Sequence, residues 1–126
     1  MPNTALIAAL FGLIFVYLSI KVIRFRLKNQ ISLGVTEGDA AMEQTVRAHA
    51  NFAEYVPLCL ILLGFVELYA GGRVLALILG TLLLVGRIAH VVGMLKPELF
   101  RLRQVGMVLT FLVILVSSLY LIWSYF

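Results

Sequence analysis

Arg47, Asn51 and Glu54 stand four and three residues apart, with Glu43 one turn before Arg47. At about 100° per residue, the first three lie within about 60° of one another on a helix. The spacing predicts a polar stripe of acid, base, amide and acid. Arg87 and His90, three apart, share a helical face in the same way. Arg24, Arg26 and Arg103 are further guanidiniums at the edges of apolar runs. Such groups either satisfy one another in a network that only holds helices together, or bind a small anion through charge-assisted hydrogen bonds. The arginines here outnumber Glu43 and Glu54, and an excess of buried guanidinium predicts an anionic ligand. For Arg24, Arg26 and Lys28 the alternative is a plain topological anchor. His49 points away from the stripe and reads as an interfacial or packing residue.

Other chemistries find no support in the residue pattern. Two histidines and one cysteine at unrelated positions have no metal-ligand spacing. There is no readable nucleophile–base arrangement and no Gly-rich phosphate loop. Cys59 lies in an apolar run and has no second cysteine to pair with, so it reads as an inert buried thiol.

The elements that position these groups follow from composition. Of 126 residues, 63% are hydrophobic and 13% charged, against about 45–50% and about 25% in soluble domains. A chain this short could not cover so apolar a core with polar surface, so lipid is its natural solvent. Apolar runs long enough to cross a bilayer fall at about residues 4–21, 45–69, 74–94 and 105–125. The first lacks a basic n-region and outruns a signal h-region, so it reads as a retained span. Residues 29–42 form the one real loop, with Asp39 as the expected N-cap of the second helix. Pro57 removes a backbone donor and is a candidate kink. Gly80, Gly86 and Gly93 suit close helix contact, and Tyr120, Trp123 and Tyr125 resemble an interfacial aromatic belt.

Four spans with short links predict an all-α, up-down-up-down antiparallel bundle as one membrane domain over residues 1–126. Nine of the ten Lys and Arg residues then fall at the end bearing the 1–2 and 3–4 links, leaving Arg73 at the other. By the positive-inside rule, both termini lie outside and those links are cytoplasmic. The net charge of +4 sits at span edges, which points to anionic lipid head groups or a small anionic ligand and not to nucleic acid.

The segment from Arg47 through His49, Asn51 and Glu54 to Pro57 resembles the second-helix signature of the MAPEG superfamily, the membrane-associated proteins in eicosanoid and glutathione metabolism. Gly86-Arg87-Ile88-Ala89-His90 is similar to the third-helix motif of its prostaglandin E synthase branch, and Arg103 falls where the family's arginine opens helix 4. The resemblance covers essentially the whole chain and is nearest to the small bacterial members, which implies the bacterial inner membrane. It further implies a homotrimer that binds glutathione as co-substrate between subunits near the cytoplasmic end. Arg47, Asn51, Glu54 and Tyr55 would then hold the tripeptide, with Arg87 and His90 completing the site. Arg24 or Arg26 would reach in from a neighbouring subunit, and Arg103 would stand beside the sulfur as the catalytic residue. A lipophilic electrophile or peroxide would be the second substrate. Met94, Gln104 and Met107 stand where eicosanoid-synthesising relatives have hydroxyl-bearing residues, which argues against a specific eicosanoid activity.

Three functions follow in order: a glutathione transferase or peroxidase, a binder of glutathione or an anionic lipid-like molecule without turnover, and a small proton-coupled exporter. The exporter ranks last because residues 4–20 carry no charge, and such exporters rely on a carboxylate in the first span.

Overall fold

The computed structural model describes residues 1–69 and 71–126. It contains four long helices: α1 (Pro2–Lys28), α2 (Ala40–Leu68), α3 (Gly72–Leu95) and α4 (Phe100–Tyr125), with one 3₁₀ turn at Pro97–Leu99 before α4. They have 27, 29, 24 and 26 residues, or roughly 36–43 Å at 1.5 Å per residue. A hydrocarbon core is about 30 Å thick, so each helix outruns its apolar run. Once nucleated, a helix continues until a glycine, proline or competing cap stops it. The polar residues of early α2 therefore stay helical beyond the apolar stretch.

Asp39 caps α2, its Oδ1 accepting from the Met42 amide at 2.9 Å. The Asn29 side-chain Nδ2 donates to Asp39 Oδ2 at 3.3 Å, which joins the two ends of the loop. At the opposite end of the bundle, the Glu67 carboxylate accepts from the backbone amides of Asn3 and Thr4 at 3.0 and 2.8 Å. It thereby fills orphan donors at the start of α1. Pro57 lies inside α2, and the helix runs on through it. The α2–α3 turn is tight enough that a Cβ on Gly72 would collide with the Val66 carbonyl.

α2 and α3 form the centre. α1 packs on both and so does α4, while the α1 and α4 backbones do not come close to each other. Phe11 meets Phe52 edge-on at 5.6 Å, within a core that includes Leu18, Leu63, Leu83 and Val113. Large apolar residues such as Leu13, Phe65, Ile78, Val108 and Leu115 face outward. A soluble monomer rarely shows so much apolar surface, whereas lipid accepts it. All four helices are long and apolar enough to span, and the chain is an integral membrane protein.

Lipid tails are as apolar as leucine, so helices in a membrane associate mainly through close packing. The α3–α4 seam shows this. A Cβ on Gly86 would fall 2.9 Å from Leu109 Cβ, one on Gly93 3.0 Å from the Leu99 carbonyl, and one on Gly106 2.6 Å from His90 Cβ. Gly80 likewise receives Ile7 of α1, whose Cγ1 would lie 3.1 Å from an added Cβ. This glycine seam sets where the start of α4 stands against the end of α3.

Candidate functional site

The first half of α2, the end of α3 and the start of α4 enclose a cavity of about 530 Å³. Ligand pockets commonly hold about 300–1,000 Å³. The α2 stripe supplies one side: Glu43, Arg47, Asn51 and Glu54 all line it, together with Gln44 and Ala50. His90 and Met94 of α3 and Arg103 and Met107 of α4 supply the other. Arg47, Glu54 and Arg103 are exposed, so the cavity opens at the surface of the chain, at the end that carries the 1–2 and 3–4 links.

Arg87 stands behind this wall, wholly buried at 0% exposure. Its Nη2 donates to Asn51 Oδ1 at 2.8 Å, its Nη1 lies 3.9 Å from Met107 Sδ, and its guanidinium sits 5.5 Å from the Phe52 ring centre. Its Nε has no partner. Arginine has only donors, so the atom of Asn51 that meets it must be the carbonyl oxygen. The amide orientation is thereby decided, and the Nδ2 hydrogens remain for the cavity.

His90 is 2% exposed. Its Nδ1 lies 3.1 Å from the main-chain oxygen of Arg103. Its Nε2 is buried without a hydrogen-bond partner. One ring nitrogen therefore braces the first turns of α4.

The charges of the wall are balanced, with two arginines and two glutamates. The sequence predicts an excess of guanidinium here, and the excess is present only one layer back, as Arg87. Among the described residues the side chains of Glu43, Arg47, Glu54 and Arg103 have no hydrogen-bond or ion-pair partner. The wall thus offers unpaired charge of both signs, an arrangement suited to a zwitterion with carboxylates at the arginines and an ammonium at the glutamates. Met94 and Met107 add a soft, apolar flank.

The structure gathers Arg47, Asn51, Glu54, His90 and Arg103 in one cavity and leaves three other expected residues off its wall. Arg87 backs Asn51, as described. Tyr55 turns toward α4, its ring 5.7 Å from that of Phe111. Arg24 is exposed on α1 and borders a separate groove with Lys21, Phe25 and Lys28. Its expected role is in a neighbouring subunit's site. Gln44 was not anticipated, although its spacing of three and seven from Arg47 and Asn51 continues the same stripe. His49 packs against α1: it stacks on Phe15 at 4.8 Å, and its Nε2 lies 3.0 Å from Ser19 Oγ. Cys59 is a buried free thiol. Among the described residues no cluster of three His, Cys, Asp or Glu side chains forms a metal site.

The MAPEG family model matches residues 4–123. Inner membrane protein YecN of Escherichia coli strain K12 is 32% identical over 120 residues, which is 95% of this chain and 90% of the relative. The same protein from strain CFT073 matches equally. With nearly its whole length matched, this chain belongs to the MAPEG family.

Proposed function

We propose that this protein binds glutathione in the cavity between α2, α3 and α4 and activates its thiol against lipophilic electrophiles or peroxides, as a transferase or peroxidase. One observation carries the reading: Arg47, Asn51, Glu54, His90 and Arg103 meet on one cavity whose charges are unpaired. Glutathione has two carboxylates, an ammonium and a thiol; the wall offers Arg47 and the Asn51 amide for the carboxylates, Glu54 for the ammonium and Arg103 for the sulfur. A thiol with pKa about 8.5 is mostly protonated at neutral pH. Lowering that value by two units takes about 2.7 kcal/mol of preference for the thiolate, which a guanidinium at low dielectric can supply. We assign this role to Arg103, which lines the cavity from α4 together with Met107.

In this reading the protein is a homotrimer of the inner membrane with its basic end in the cytoplasm. Arg24 of one subunit extends toward the site of the next, and Tyr55 contributes through the α2–α4 packing. The test is titration of the purified protein with glutathione, followed by calorimetry and by the ultraviolet absorbance of the thiolate. Saturable binding with thiolate formation that is lost in Arg103→Ala supports the proposal. Absence of saturable binding removes it.

A second reading has its own support. Met94 and Met107 line the cavity and bring no hydroxyl donor to it, so binding without turnover is the alternative. Binding with no conjugation across a panel of generic electrophiles selects that reading.

A further inference from the structure

We propose that the groove at the end of α1 holds the phosphate head group of an anionic phospholipid, one per chain, through Lys21 and Lys28. Lys21, Arg24, Phe25 and Lys28 enclose about 280 Å³ there, and no acidic side chain borders it. α1 itself contains no Asp or Glu. Among the described residues the side chains of Lys21, Arg24 and Lys28 have no hydrogen-bond or ion-pair partner. The Lys21 ammonium lies 5.7 Å from the ring centre of Tyr17. The three cations fall within about 60° of one another at about 100° per residue. Uncompensated charges on one face repel one another, and an anion between them removes that cost. Arg24 also extends toward a neighbouring site in the functional reading above. Lys21 and Lys28 have no part in that reading, and they carry this proposal whatever fills the cavity.

The rest of the same face decides between a lipid and a soluble anion. Leu6, Leu10, Leu13 and Tyr17 are all exposed, and with Lys21 they lie within about 80° of one another around the helix. The buried side of α1, with Leu18 and Val22, stands roughly a third of a turn away. The outer face is therefore apolar through the span and turns basic at its end, over about 33 Å from Leu6 to Lys28 at 1.5 Å per residue. A phospholipid has its parts in that order, with acyl chains first and a phosphate at the interface. A lysine at the edge of the hydrocarbon keeps its stem in lipid and its ammonium at head-group depth. Lys21 and Lys28 stand about 10.5 Å apart along the axis, and Phe25 is the apolar member of the groove. A bare topological anchor requires only the charges. It requires neither a groove nor an apolar face leading into one.

The experiment titrates the intact protein, stripped of lipid in a neutral detergent, with phosphatidylglycerol and in parallel with phosphatidylcholine, and counts bound lipid by native mass spectrometry. The expected result is saturation at one phosphatidylglycerol per chain, with no saturable phosphatidylcholine. Lys21→Gln and Lys28→Gln are each expected to weaken binding about fivefold, and together about 30-fold, at about 1 kcal/mol per basic residue. Lys96→Gln combined with Arg101→Gln removes the same charge from exposed positions at the same end of the bundle and is expected to leave the affinity unchanged. An equal loss in that control, or lipid uptake that never saturates, reduces the groove to a topological anchor and overturns the proposal. Displacement of the lipid by inorganic phosphate makes the groove a site for a soluble anion and overturns it too. A disulfide between copies carrying Lys28→Cys makes this face a subunit contact, with the same consequence. Saturation and phosphate competition use the wild-type chain, so a variant that fails to fold leaves both decisive.

Discussion

The guanidinium of Arg87 donates to Oδ1 of Asn51 at 2.8 Å from a position with no exposure. This contact ties α3 to α2 beside the cavity and fixes which half of the Asn51 amide is left for a ligand. A buried cation with no acid partner among the described residues is an expensive way to hold one amide, since insertion scales put a central arginine at about 2.5–3.5 kcal/mol. Its retention makes sense if the orientation of Asn51 and the positive potential behind it serve binding.

Replacing Arg87 by Met separates these contributions. Methionine fills a similar volume without charge, so thermal stability is expected to hold or rise, as when other buried ions are exchanged for apolar groups. With the amide free to turn, glutathione affinity is expected to fall about tenfold, near the 1–1.5 kcal/mol of a hydrogen bond. Thermal unfolding and calorimetry on the same preparation check both. A fall in stability at unchanged affinity would make Arg87 a packing residue alone.

At the other end of the bundle, Glu67 accepts from the amides of Asn3 and Thr4. Glu67→Ala removes the only side-chain partner those amides have among the described residues, and cap losses cost about 0.5–2 kcal/mol. The expected result is a lower unfolding temperature with glutathione binding unchanged, because the cavity lies at the opposite end. Hydrogen exchange should show the added opening confined to the first turns of α1.

These contacts divide according to what a sequence can show. The stripe of Arg47, Asn51 and Glu54 lies within one helix, where geometry follows from spacing alone, and it lines one cavity. Asp39 announces its cap by type and position. By contrast, Arg87 and His90 share a face of α3 yet divide their roles, one behind the wall and one on it. That division depends on the rotation of α3 against α2 and α4, which the glycine seam sets. The Glu67 cap spans 64 residues of chain, and the Nδ1 partner of His90 is a main-chain carbonyl, which carries no residue signature. The helix ends were also hidden, since hydropathy marks the lipid boundary while backbone hydrogen bonds mark the helix.

The seam makes its own prediction. A methyl on Gly106 would fall 2.6 Å from His90 Cβ and 2.7 Å from the His90 main-chain nitrogen. Gly106→Ala must push α4 away, and overpacking of this kind costs about 1–3 kcal/mol. Gly12→Ala is the control, because nothing lies within 4 Å of its added methyl. Unfolding in detergent should separate the two variants. Gly106→Ala should also lose glutathione affinity, since the α3–α4 spacing places Arg103 on the cavity.

Arg103 carries the sharpest prediction, because its effect should fall on one protonation state. A guanidinium near the sulfur stabilises the thiolate and leaves the neutral thiol almost untouched, so it lowers the pKa of the bound thiol. Removing it raises that pKa. In Arg103→Ala the value should return by about two units toward that of free glutathione, a change of about 2.7 kcal/mol. At neutral pH the thiolate would then be lost, and it would reappear only as pH approaches about 8.5. Affinity measured well below both pKa values should change little, because in the proposed mode the carboxylates and ammonium would keep their partners Arg47, Asn51 and Glu54. Arg103→Lys retains the charge on a different stem and should fall between the two. The measurement is a pH titration of thiolate absorbance at saturating glutathione. A parallel loss of affinity at every pH, with no movement of the midpoint, would make Arg103 a carboxylate anchor and leave activation of the sulfur to another group.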